Sequence, residues 1–355
     1  MKILALSPYY NYTKVALFEN YGLLWSEIQS YGPAELELFP NIISQEEFRA
    51  EKIKDLMNSK GEPINAVGAF VSVGGMLHPL EGGVYPINAE MIEDLLSCKY
   101  GDSPMNLGAP MANRLANMAG CRYAYIVDPP VVDEMSGIAH MTGFPDISRR
   151  SVFHALNHKA VAAREAMNIG KPLADCNFIV CNLDTTISIA VHSGGKVVEV
   201  NDINSGSGPM SPRQTGDLPP LQLLELCFSG KYSLEELRIR VIGAGGFVAH
   251  LGTDDFEDIV KRVRSGDRKA VAVFEAFMHQ LVKHIAGCAG VLDGRVDSTI
   301  LTGLMAANEY FRQLLAGRID WIAPIVIYPG SDDIYALIEA VLRVMRGVEA
   351  VKSYS

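Results

Sequence analysis

Residues 2–25, KILALSPYYNYTKVALFENYGLLW, and residues 177–200, NFIVCNLDTTISIAVHSGGKVVEV, decide the fold of this chain. In each stretch an apolar run stops at a polar turn, resumes, stops at a tight turn and resumes again. Short apolar runs bounded by Gly, Asn, Ser and Asp read as strands, so each stretch predicts a three-stranded β-meander. The tight turn is Ser193-Gly194-Gly195 in the second stretch, and Glu19-Asn20-Tyr21-Gly22 takes its place in the first. The stretches lie about half a chain apart, and the match is one of pattern, with poor identity. It suggests a duplicated domain, each copy opening on a meander.

Outward from these stretches, strands and helices alternate. Val67–Val71 and Tyr123–Val127 read as buried strands, and helices are predicted at Gln45–Leu56, Ala89–Leu96, Pro110–Met118 and Arg150–Met167. In the second half, helices are predicted at Asp254–Arg264 and Arg268–Val291, strands at Ser298–Leu301 and Ile322–Val326, and a last helix at Asp332–Met345 after a Pro-Gly turn. Such alternation argues an α/β architecture. With 355 residues and no low-complexity linker, two tightly joined domains are expected, 1–174 and 175–355, the final helix being able to pack back on the first.

Composition narrows the function. Hydrophobic residues make up 48%, charged residues 20%, and the net charge is −10. An acidic chain without a basic run has no general electrostatic reason to bind nucleic acid or an anionic membrane. The opening residues lack the long apolar core of a signal peptide, and nothing approaches a membrane span. Six cysteines form no CxxC pair and no Cys/His cluster at zinc spacing. They read as buried thiols of a cytoplasmic protein. His154 and His158 stand one helical turn apart, a spacing that can bind metal, but no third ligand is evident and a packed helix face is the plainer reading. Three glycine-bearing loops, at Gly206–Pro209, Gly243–Gly246 and Leu301–Gly303, have the look of ligand turns whose amides can cradle an anion. Glycines in turns more often serve only to supply positive φ.

Several strings, in order and with spacing kept, resemble the butyrate kinase family: NLGAPMA (106–112), IVDPPVVDEMSGIA (126–139), RRSVFHALNHKAVAAREA (149–166), GSGPMSPRQTGDLP (206–219), CFSGKYSLEE (227–236), GAGGFVAHLGTDD (243–255), LTGLMA (301–306) and YPGSDDIYAL (328–337). The resemblance runs almost end to end. It implies the acetokinase branch of the actin/sugar-kinase/Hsp70 fold: α/β, with two related ribonuclease-H-like domains flanking a cleft. It also implies ATP and magnesium as cofactors, phosphoryl transfer to a short carboxylate, and a dimer or larger oligomer. By residue, it implies catalytic roles for Asp128, His158 and Arg213, with Asp128 also the magnesium ligand. Thr13, Lys14, Asn182, Gly206, Gly208 and Gly303 fall at nucleotide or phosphate positions, and Asn106 and His140 on the substrate side.

The phosphate-handling loops depart from the family pattern. Against the family's NPGSTSTK this chain has Ser7-Pro8-Tyr9-Tyr10-Asn11-Tyr12-Thr13-Lys14, and against HLGGGIS it has Asn182-Leu183-Asp184-Thr185-Thr186-Ile187-Ser188. Tyrosines fill space that a phosphate loop leaves open to its backbone, and Asp184 would set a negative charge against polyphosphate. The family's arginines fall at Val73, His140 and Gln214, with Arg213 one place early. Its histidine falls at Ser103 and its metal-side carboxylate at Ser331. Each preorganised donor is worth about 2.7–4 kcal/mol of transition-state stabilisation. The expectation is therefore a catalytically degenerate homologue, a pseudokinase that partners an active paralogue or another enzyme, or binds a ligand without turnover. The alternative is an active carboxylate kinase with a rebuilt site. A third reading is a binder of an apolar or aromatic carboxylate.

Overall fold

The computed structural model describes residues 1–331 and 333–355, so Asp332, expected to open the last helix, lies outside the described residues. In chain order the elements are β1 (Lys2–Pro8), β2 (Tyr12–Glu19), β3 (Gly22–Ser30), α1 (Pro33–Leu36), α2 (Glu46–Ser59), β4 (Val67–Val73), β5 (Val84–Pro86), α3 (Ala89–Leu96), α4 (Gly108–Ala119), β6 (Ala124–Val127), α5 (Gly137–His140) and α6 (Ala155–Asn168). There follow β7 (Asn177–Leu183), β8 (Ile187–Ser193), β9 (Lys196–Val200), α7 (Pro220–Phe228), α8 (Leu234–Ile242), α9 (Gly246–Leu251), α10 (Phe256–Arg264), α11 (Arg268–Val291), β10 (Ser298–Gly303), α12 (Glu309–Ile319), β11 (Ile325–Pro329) and α13 (Asp333–Met345).

The duplication is explicit in the topology. One sheet has the order β3-β2-β1-β4-β6-β5 and the other β11-β10-β7-β8-β9. In each, an antiparallel meander (β1–β2–β3, β7–β8–β9) continues into two parallel strands (β4 and β6, β10 and β11). Parallel neighbours are covered on both faces, so central strands read as unbroken apolar runs. β10 is buried along its whole length and β4 nearly so, whereas the edge strand β3 is largely exposed.

Two compact units result: Met1–Asp133 with 333–355, and Glu134–Ser331. This division places α6 in the second unit, where sequence reading drew the boundary after residue 174. The reason is packing: Val161, Ala162 and Ala166 of α6 bury against Phe178, Val180 and Ile300 of β7 and β10. In the first unit α2 and α4 cover one sheet face through Ile53, Met57, Met111 and Leu115. Arg114 of α4 adds a bidentate pair to Glu46 at the start of α2, at 2.8–3.0 Å. In the second unit Phe274 and Phe277 of α11 meet Phe311 of α12 and Phe247 of α9 over the other sheet.

Four differences from the sequence reading have local causes. Asp255 caps α10 by accepting from the Asp258 amide, so the helix starts at residue 256, not 254. Residues 150–154 are irregular rather than helical, and Phe153 there is buried in the core. The strand expected at 322–326 runs instead over Ile325–Pro329, in register with β10. β5 has only three residues, too few for a periodic signal, and pairs antiparallel with β6 at the sheet edge. Among the described residues, no helix is long and apolar enough to cross a membrane.

Phe277→Ala removes the ring at the centre of the second-unit core and is expected to cost about 3–5 kcal/mol. Chemical denaturation should show a lower midpoint, while the same change at exposed Phe144 shifts it by less than about 0.5 kcal/mol.

Candidate active site

In open α/β sheets ligands collect beyond the carboxyl ends of parallel strands, because the turns there are free of ladder pairing. In the second unit those ends are Asn182–Leu183 on β7, Gly303 on β10 and Gly330 after β11. Asn182 is 1% exposed, and its Oδ1 accepts from Asn157 Nδ2 at 2.5 Å. Asn157 also donates to Thr302 Oγ1 at 3.1 Å, and Thr302 to Gly330 O at 3.0 Å. The Asn182 Nδ2 group has no hydrogen-bond partner among the described residues. A buried amide left unpaired costs about 1–3 kcal/mol, so its presence at a strand end calls for an explanation.

Gly303 shows why its position must be glycine. Its φ is +89°, and a Cβ there would lie 2.4 Å from Leu183 O. The β10 turn is thus pressed onto the β7 turn, and the Gly303 amide is spent on Gly330 O at 3.1 Å. Gly246 is tighter still: φ +54°, with a Cβ 1.7 Å from Ser211 O. The Gly243–Gly246 loop, expected as a ligand turn, instead packs backbone to backbone, its Gly245 amide donating to Arg213 O at 2.9 Å. The Gly208 amide donates to Asp217 Oδ1 at 3.0 Å rather than standing open to phosphate, and Gly206 faces Val241.

Beneath the β7–β8 turn lies a buried histidine cluster. His154 Nδ1 and His158 Nε2 both contact Ser188 Oγ, at 2.7 and 2.8 Å, and the His158 and His192 rings stack with centroids 5.8 Å apart. A hydroxyl offers one proton, so one imidazole accepts from it and the other donates to it. The pair of histidines thus closes on one serine hydroxyl, which fixes both rings. Burial, then repulsion from His192 and His154, holds His158 well below the ordinary histidine range. Burial takes His192 down to about 3.

The turn itself is braced from below. Ser211 Oγ and the Arg213 amide both donate to Thr185 O, at 2.9 and 3.2 Å. The Arg213 guanidinium is exposed and pairs with Asp254 at 3.1 Å. Asp184 accepts from the Thr185 amide at 2.8 Å, drawing its charge into the turn. Gln214 is buried and donates to Ile203 O. Sequence reasoning also missed a cavity. About 590 Å³ in volume, it opens between α10 and the start of α12, lined by Glu257, Val260, Lys261, Arg264, Asn308 and Tyr310. Asn308 caps α12 through the Phe311 amide and holds the Glu257 carboxylate at 2.9–3.0 Å. Its place, a few residues past the Leu301–Gly303 turn, was the available signal.

In the first unit the β1–β2 turn is filled by its own side chains. Tyr9 and Tyr12 stack at 4.5 Å, and Lys14 lies 5.2 Å from the Tyr9 ring. Arg49 of α2, 0% exposed, donates to Tyr9 O at 2.7 Å and Tyr10 O at 2.6 Å while Gln45 accepts from its other edge. Its guanidinium lies 4.4 Å over Tyr31, whose hydroxyl donates to Thr13 Oγ1 at 2.9 Å. A buried arginine with every edge engaged is a structural tie, which explains how so bulky a turn holds one shape.

Asp128 stands directly after β6 with φ +37° and 8% exposure, and its Oδ1 accepts from the Gly83 amide at 2.7 Å. Asn106 is wholly committed to structure. It accepts from the Met76 amide at 2.8 Å and donates to Gly101 O at 2.9 Å. Gly75 packs on Asn106 and Gly74 on Pro129, so Asp128 and Asn106 flank one pair of glycines at the end of β4. His140 closes α5, its Nδ1 donating to Arg149 O at 2.9 Å. The structure thus gathers His158, Asn182, Gly303 and the Arg213 backbone in the second unit, and Asp128 with Asn106, and Thr13 with Lys14, in the first.

Comparison with known proteins places this geometry. The fold matches the crystal structure of Porphyromonas gingivalis acetate kinase with a TM-score of 0.80 over 97% of this chain and 99% of that one, at 16% identity, a likeness of fold alone. It is therefore an acetate-kinase-like α/β fold of two related domains. The Acetokinase family model matches residues 145–318. Butyrate kinase 2 of Clostridium acetobutylicum is 42% identical over 353 residues, 99% of each chain, and a probable butyrate kinase of Coprothermobacter proteolyticus is 40% identical over 354. The chain belongs to the acetokinase family, on its butyrate kinase branch. Catalytic degeneracy, the leading expectation from the substituted loops, finds no support in these relatives, which favour the carboxylate kinase alternative.

The histidine cluster sets a pH dependence. His158 and His192 are neutral when folded and take up protons more readily when unfolded, at an ordinary value of 6.5. The unfolded state therefore binds more protons in acid, and stability, complete above about pH 6.5, is lost as pH falls toward about 3. The melting temperature should drop steadily below about pH 6.5, and His192→Leu should flatten that slope. A variant profile parallel to wild type would remove His192 from the account.

Proposed function

We propose that this chain is a carboxylate kinase that moves a phosphoryl group between ATP and a short-chain carboxylate, butyrate or a close relative. The observation that carries the reading is the 42% identity to Butyrate kinase 2 over 99% of both chains. In the forward direction a carboxylate oxygen bonds to the γ-phosphorus while the bridging oxygen leaves with ADP. Phosphoryl transfer asks little covalent chemistry of a protein and much positioning. The cavity beside Asn308, Lys261 and Tyr310 has room for a nucleoside, and the unpaired Asn182 amide at the foot of the β7 turn suits an acceptor oxygen. Magnesium, when bound, would neutralise developing phosphate charge, and Asp128 is the carboxylate that would hold it from the protein side, one oxygen being already engaged by the Gly83 amide. Arg213 and Lys14 are the cations that stand at or beside the family's charged positions in sequence, and His140 occupies a third such position. Arg213 would leave Asp254 to serve, and Lys14 would leave the Tyr9 ring.

A second reading, the degenerate homologue, has one observation in its favour: the Tyr9–Tyr12 stack clamped by Arg49 at the first phosphate loop. Trapping acyl phosphate as hydroxamate over a panel of carboxylates of two to six carbons separates the two. Turnover on one of them, falling at least about a hundredfold in Asp128→Asn, supports the kinase. No product from any acid, with no heat of Mg·ATP binding, would hand the chain to the second reading.

We also propose that it pairs with a second copy of itself through α7 and α8. Leu221, Leu224, Leu234 and Ile239 are exposed there, Phe228 at 88%, and α7 buries no residue in its own unit. A helix that buries nothing in its own unit while exposing several large apolar side chains marks an interface. On α8 the acidic Glu235 opens the helix and Arg240 closes it. Antiparallel pairing about a two-fold axis sets each against its opposite, which favours a copy of this chain over another partner. Light scattering should give a dimer for wild type and a monomer for Leu224→Glu/Phe228→Glu; an unchanged mass would place the interface elsewhere.

A further inference from the structure

Asp128 holds a left-handed backbone, φ +37°, which a non-glycine residue keeps only where its surroundings over-determine it. The immediate surroundings are a reciprocal pair of hydrogen bonds with one residue. Gly83 N–H donates to Asp128 Oδ1 at 2.7 Å, and Asp128 N–H donates to Gly83 O at 3.0 Å. Gly83 therefore fixes both the backbone and one carboxylate oxygen. Yet Gly83 precedes β5, a three-residue edge strand, and so short an edge has little stiffness of its own.

What stiffens it comes from the other end of the chain. The Lys352 amide donates to Val84 O at 2.8 Å on the side of β5 away from β6. The Lys352 side chain runs past Gly83, with Cδ and Cε 3.1 Å from where a Cβ would stand, and its ammonium pairs with Glu81 at 2.8 Å. Two residues on, Tyr354 is 3% exposed. Its hydroxyl donates to Asp94 Oδ2 at 2.8 Å, its carbonyl accepts from Asn88 Nδ2 at 2.8 Å, and its ring stacks on His78 at 4.5 Å. Asn88 caps α3 and Asp94 lies within it, so the anchor is a rigid helix rather than a loop.

We propose that residues 349–355 form a strap that positions Asp128. The path is Tyr354 on α3, Lys352 N–H on Val84 O, and Gly83 on the carboxylate. Lys352 and Tyr354 are positioning residues: they touch β5 and α3, not the substrate. The proposal rests on Asp128 serving the carboxylate kinase reaction, and it adds a segment to which nothing in that reading assigns a role.

The sharpest variant is Lys352→Pro, which deletes one N–H and leaves the Tyr354 anchor; Lys352→Ala keeps the N–H and serves as the control. Hydrogen exchange of the Gly83 amide, followed by NMR, reads the strap without any substrate. Lys352→Pro should speed that exchange about tenfold, the scale of one lost hydrogen bond, and lower kcat by a similar factor with KM for ATP unchanged. Lys352→Ala, which keeps the N–H and loses only a solvent-exposed pair to Glu81, should stay within about twofold of wild type in both. If Lys352→Pro lowers the overall melting temperature too far to interpret, Tyr354→Phe tests the same path from the anchor. Unchanged Gly83 exchange in both variants overturns the strap. Wild-type protein without carboxylate kinase turnover overturns the proposed function instead, and the exchange result still judges the strap.

Discussion

Parallel pairing buried on both faces is the constraint on which the rest depends. β4 and β10 sit between a meander and a further parallel strand, with helices above and below. Side chains there have no route to solvent, so these strands carry packing and nothing else. Chemistry is confined to their carboxyl ends. The two units meet this constraint with one topology, and so place their candidate residues at corresponding turns: Ser7–Lys14 after β1 and Asn182–Ser188 after β7, and Asp128 beyond β6 and Gly330 beyond β11.

Those corresponding turns have different contents. The first is closed by stacked tyrosines and tied by a buried arginine; the second is braced by serine, histidine and asparagine and retains one unpaired amide. Both are held by buried hydrogen bonds, of different kinds. Arg49 binds the Tyr9 and Tyr10 carbonyls, and Ser188 Oγ contacts His154 and His158, of which His158 is kept uncharged by burial. Full-length relatives among the butyrate kinases weigh toward the carboxylate kinase reading rather than degeneracy.

Much of this was legible in the chain as written. The period of apolar residues located β1–β3 and β7–β9, and gave Ala89–Leu96 and Arg268–Val291 to the residue, because those helices carry clear caps at Asn88 and Asp267. The glycine loops were legible as turns but not in purpose. Gly246 and Gly208 serve close backbone packing and a carboxylate, and only their spatial neighbours, Ser211 and Asp217, reveal it. The roles of Arg49 and Tyr354 were invisible for the same reason: their partners lie about forty residues away in one case and some 260 in the other.

The sequence by itself determined the elements, the duplicated meander and the family, since each rests on local periodicity or on order along the chain. Tertiary structure alone decided which polar groups are spent and which are left: the Gly303 and Gly245 amides consumed by backbone carbonyls, Asn106 consumed by Met76 and Gly101, Asn182 left with an open amide. The physical reason is that a hydrogen bond is settled by distance and direction in space. Residues that compete for one donor need share nothing in sequence but the sheet end to which the fold brings them.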